Sequence, residues 1–141
     1  MRLALACLLL QSMARGTDMA SVKAEPNLEK RSELALVYAG EIVSEMRKEL
    51  HASSTGRIRE QLRDFEAAVD LSVDSLMATG KNARNRPKYF KRAEQKMRDL
   101  NRRIETLQRD MSIDDRPVLE GVTGHVNQKI DVLVNATLRG S

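Results

Sequence analysis

Seven apolar residues, Phe90, Ala93, Met97, Leu100, Ile104, Leu107 and Met111, follow one another at alternating steps of 3 and 4. That spacing places all of them on one side of a helix. It also excludes a strand, whose faces repeat every second residue. Every position between them is charged or polar. A stripe so close to a 3.5-residue repeat belongs to helices packed along their length. Such a helix gains its stability by burying the stripe against neighbours.

Three further segments carry the same kind of stripe. The first runs from about Asn27 to His51, with Ala35, Ala39, Ile42, Met46 and Leu50 widened by Leu36 and Val43. Pro26 stops the chain before it, and Asn27 is a suitable N-cap. The second runs from about Arg57 to Thr79 on Ile58, Leu62, Phe65, Val69, Val73 and Leu76, and Gly80 suits a left-handed terminator. Pro87 opens the third, the segment already described. The fourth begins near Asp114-Asp115-Arg116-Pro117 and uses Leu119, Val122, Val126, Ile130 and Leu133. Gly121, Gly124 and its asparagines make it the weakest helix former of the set. The chain has no Trp, two Phe and two Tyr, so its core is aliphatic, which favours helix over sheet. The expectation is an all-α fold, an antiparallel up-down four-helix bundle over residues 27–139. A three-helix bundle with a loose fourth segment is the alternative.

The N-terminus reads differently. Met1-Arg2 is positive, Leu3 to Leu10 is an apolar run, and Ser12-Met13-Ala14 offers a small-x-small cleavage site. This is the order of a secretory signal peptide, with Arg15 as the first mature residue. The run is too short to span a bilayer, which takes about 20 residues. Residues 15–26 lack periodicity and read as a flexible leader. The lone cysteine, Cys7, lies in the apolar run, so the mature chain would carry no disulfide. The expected location is periplasmic or secreted, with no transmembrane span in the mature chain.

Charge is unevenly distributed. Lys81 to Met111 holds 11 lysines and arginines against 4 acids, a net of +7, while the rest of the chain is −3. Lys81, Arg84, Arg86, Lys88, Lys91, Arg92, Arg98, Arg102 and Arg103 form the candidate binding set for an anionic partner. An envelope component or a protein is the expected partner, and export disfavours nucleic acid. The competing explanation is internal pairing. Glu94–Arg98, Asp99–Arg103 and Glu105–Arg109 are acid-first pairs four residues apart. Glu66, Asp70 and Asp74 could also meet the third segment across an antiparallel hairpin.

No catalytic or cofactor pattern accompanies these features. Gly80-Lys81 lacks the earlier glycine and the Ser or Thr of a phosphate loop. His51 and His125 have no ligand-spaced partners for zinc. A haem ligated by His125 and Met46 would need two residues at different heights along their helices, and no cofactor is expected. Asn135-Ala136-Thr137 matches the short glycosylation sequon. The primary expectation is a non-enzymatic exported protein. A cytoplasmic nucleic-acid-binding or self-associating protein and a bundle enzyme or cofactor carrier are the alternatives.

The stretches Ala78-Thr79-Gly80-Lys81-Asn82, Pro87-Lys88-Tyr89-Phe90-Lys91-Arg92-Ala93-Glu94 and Met111-Ser112-Ile113-Asp114-Asp115-Arg116-Pro117 resemble an uncharacterised family of small, predicted secreted bacterial helical proteins. The resemblance covers most of the chain after residue 27 and is poorest in the fourth segment. It implies export and a helical fold, and it implies no activity.

Overall fold

The computed structural model describes residues 18–51 and 57–139, and every regular element among them is an α-helix. The helices are α1 (Met19–Ala24), α2 (Leu28–His51), α3 (Ile58–Ala78), α4 (Lys88–Asp110) and α5 (Pro117–Arg139). The signal-peptide reading of residues 1–14, Cys7 included, lies outside the described residues. No helix among them is long and apolar enough to cross a membrane.

Local chemistry accounts for most of the helix boundaries. Asn27 caps α2, its Oδ1 accepting the Lys30 N–H at 2.9 Å. At the end of α3 the Thr79 hydroxyl donates to the Leu76 carbonyl at 2.6 Å, and Gly80 takes φ +67°. A side chain at that φ would be strained, which explains glycine there. Pro87 precedes the first helical residue of α4, and Pro117 opens α5. Of the expected leader 15–26, residues 18–26 are described, and within them Met19–Ala24 is helical. The Asp18 carboxylate caps this turn through the Ser21 N–H at 2.7 Å, and Val22 is fully buried. Two apolar residues, Met19 and Val22, are too few to give a detectable periodicity, yet α1 packs on α2 and Met19 lies against the core.

All seven stripe residues of α4 are buried, as are the stripes of α3 and α5 and all of the α2 stripe except the half-buried Leu50. Each fully buried Leu, Met or Phe contributes about 1.5–3 kcal/mol. Ser32 and Ser72 share a buried hydrogen bond of 2.8 Å between α2 and α3. Asn101 on α4 donates to Asn127 Oδ1 on α5 at 2.9 Å.

Helix directions follow from these contacts. Ser32 meets Ser72 and Glu49 meets Arg57, so α2 and α3 are antiparallel. Gln108 reaches the Arg116 carbonyl and Asn101 meets Asn127, so α4 and α5 are antiparallel as well. The two hairpins then pack with α2 beside α4 and α3 beside α5. Glu33 pairs with Arg92 and Gly40 with Arg103, so α2 and α4 run parallel. The hairpin expected between α3 and α4 is therefore not a main seam. Asp70 pairs instead with His125 at 2.6 Å and Lys129 at 3.4 Å on α5. Residues 79–87 carry the chain from one hairpin to the other. They bring the C-terminus of α3 and the N-termini of α2 and α4 to one end of the molecule.

Candidate functional site

The link between α3 and α4 is held in shape by Asn82. Its side-chain oxygen accepts the Arg84 N–H at 2.9 Å, and its carbonyl accepts those of Asn85 and Arg86 at 3.2 and 2.9 Å. Ala83 is buried, which anchors the turn and leaves Lys81, Arg84 and Arg86 exposed around it. The first turn of α4 adds Lys88, Lys91 and Arg92, all exposed.

Tyr89 lies among these cations. Lys88 stands 5.5 Å, Arg92 5.8 Å and Lys81 6.0 Å from the centre of its ring. Each distance is within reach of a cation–π attraction, about 0.5–1 kcal/mol at an exposed site. Two acids on α2 share the load. Glu29 pairs with Lys81, and Glu33 pairs with Arg92 at 2.7 Å. The hydrogen bond from Lys81 holds the Glu29 carboxyl below its ordinary value, assisted by the charges of Lys81 and Arg86 and by the Tyr89 phenol. Partial burial opposes this shift.

Beneath this rim is a cavity of about 300 Å³ lined by Glu29, Leu76, Thr79, Lys81, Arg86, Pro87, Lys88, Tyr89 and Phe90. Leu76 and Phe90 are buried at its floor, Lys81, Arg86 and Lys88 are exposed at its mouth, and Glu29 lies between, its side chain mostly covered.

The nine predicted cations divide into two groups. Arg84, Arg86, Lys88 and Lys91 have no side-chain hydrogen bond or ion pair among the described residues, and Lys81 and Arg92 join them at the same end. Arg98, Arg102 and Arg103 lie further along α4 and are engaged there. Arg98 pairs with Glu94 at 3.0 Å, as its spacing predicts. Arg102 pairs with Asp99 at 3.3 Å, in place of the expected Asp99–Arg103 pair. Arg103 instead crosses to α2, where it donates to the Gly40 carbonyl at 3.3 Å and the Ser44 hydroxyl at 2.9 Å. A Cβ at Gly40 would stand 3.4 Å from the guanidinium, an ordinary contact. Arg109 bonds Thr106 rather than Glu105.

Sequence reasoning missed Glu29 and the cavity floor. Glu29 is 52 positions from Lys81, so no local pattern connects them. No cluster of three potential metal ligands occurs among the described residues.

A scan against protein-family models finds no match to this chain, and searches of curated proteins and of solved structures find none either.

Proposed function

We propose that this chain is a non-enzymatic, exported four-helix-bundle protein that binds an anionic envelope component. Its binding surface is the end formed by Lys81, Arg84, Arg86, Lys88, Lys91 and Arg92. The bundle consists of two antiparallel hairpins, α2–α3 and α4–α5, with α1 as an accessory turn. The observation that carries the reading is the division of the cations. Four exposed, unpaired charges crowd one end, whereas the arginines further along α4 already have partners. Like charges gathered this closely repel each other, and an anion relieves that repulsion. Export rests on the order of Arg2, the apolar run Leu3–Leu10 and Ser12-Met13-Ala14.

Two measurements test the two halves of this reading. Expression of the full chain in a bacterium, followed by fractionation and intact-mass determination, gives a periplasmic product beginning at Arg15. A cytoplasmic product that retains Leu3–Leu10 overturns export. Titration with polyphosphate over a range of salt gives a slope of log affinity on log salt of about −3 to −4. That is the value for four to six neutralised phosphates on a flexible polyanion. A slope near zero overturns the electrostatic mechanism.

A further inference from the structure

The cavity beneath the cationic rim goes further than a charged surface needs to. We infer that it receives a small amphiphilic anion, an acyl chain ending in a carboxylate, with the chain between Leu76, Pro87 and Phe90 and the acid at Arg86 and Lys88. This inference rests on the anion-binding reading of the same end and names the ligand class.

Polarity changes with depth. The floor is made by Leu76 and Phe90, which are 1% and 3% exposed, and neither offers a side-chain hydrogen bond. The mouth is made by Lys81, Arg86 and Lys88, all exposed. A ligand matched to both has an apolar body and one acidic group. A free phosphate would leave the apolar interior of the cavity empty, and an uncharged alkane would leave the rim unused. At about 300 Å³ the space is at the small end of ligand pockets, suited to a short chain rather than a two-chain lipid.

Glu29 is the one acid in the lining, and it does not turn the site toward cations. Its carboxylate is paired with Lys81. Arg86 and Lys88 remain unpaired, so the net charge facing an incoming head group is positive. Tyr89 links the two zones. Its ring belongs to the apolar wall, and its face holds Lys88, Lys81 and Arg92 near the entrance.

Calorimetric titration of the purified protein with decanoate, below its micelle concentration, tests the inference. Decanol and decylammonium serve as comparisons, and polyphosphate is titrated in parallel. The expected result is saturable decanoate binding, with decanol and decylammonium weaker by roughly tenfold or more. The double variant Arg86→Glu/Lys88→Glu changes two exposed, unpaired side chains and retains the helical circular dichroism. It loses decanoate binding by a similar factor. Magnetisation transfer from the decanoate chain to Leu76 and Phe90 locates the chain. Absence of decanoate binding overturns the inference, as does equal binding of decanol or decylammonium or an unchanged affinity in the double variant. If polyphosphate binds while decanoate does not, the cavity assignment fails and the anion-binding reading survives. If neither binds, both fail.

Discussion

Glu29 lies where the first turn of α2, the last turn of α3 and the first turn of α4 converge, and Lys81 ties its carboxylate to the link between the hairpins. The folded chain therefore binds a proton at Glu29 less tightly than the unfolded chain does, relative to an ordinary value of 4.5. The stability this contributes is complete above that value and disappears as pH falls through the lowered one. Glu29→Gln should flatten the acid side of the stability curve. Melting temperature against pH for the two proteins checks this, and coincident curves would show that the pair adds nothing. Arg103 and Lys88 make an opposed pair of tests. Arg103 joins α4 to the backbone of α2, so Arg103→Ala should lower stability by about 1 kcal/mol and leave polyphosphate affinity nearly unchanged. Lys88 is exposed at the rim, so Lys88→Glu should leave stability nearly unchanged and weaken binding severalfold. Urea denaturation and binding titrations on both variants separate structural from binding roles. The opposite assignment would move the site along α4.

Among the helices, α5 gains least from its own sequence. A Cβ at Gly121 or Gly124 would meet nothing within 4 Å, and neither residue has positive φ. Alanine at either position should raise stability by about 0.5–1 kcal/mol, measured by urea unfolding. The weakness foreseen for this segment is thus one of propensity, and its buried stripe still holds it in place. For α1 the outcome differs. Val22→Ala should cost about 2 kcal/mol, because the fully buried side chain docks a turn that nothing else anchors as deeply. A negligible loss would mean that α1 does not belong to the cooperative unit. The periodicity of α4 announced its buried face residue by residue, because 3-4 spacing reports directly on which side is covered. It could not report which neighbour does the covering. Arg103 falls outside the apolar stripe and reads as solvent-facing, yet the Gly40 carbonyl and the Ser44 hydroxyl of α2 draw it into a seam. Asp70 likewise reads as a partner for α4 and finds its partners on α5. In each case the deciding residue is remote in sequence.

At the scale of the whole molecule, the pairing of hairpins determines where charge collects. Because α2 and α4 run parallel, their N-termini share an end with the 79–87 link. Arg84, Arg86, Lys88 and Lys91, without an ion pair among the described residues, collect there, close to Glu29 and Glu33 of α2. The basic character of this region was legible from composition alone, since Lys81 to Met111 carries +7. Its division into a free end and an engaged length was not. Free and paired arginines look alike until Glu94, Asp99, Gly40 and Ser44 have been placed beside them. The floor of the cavity was legible only as core, because Leu76 and Phe90 carry the same apolar signal as every other stripe residue. The central claim is that one end of the molecule, and not the whole basic helix, binds the anion. Amide chemical-shift mapping of the labelled protein during a polyphosphate titration tests it most directly. The account predicts perturbations confined to Gly80 through Arg92 and the facing first turns of α2, with Arg98 to Arg109 unaffected. Perturbations running the length of α4 to Arg109, or clustering on another face, would contradict it.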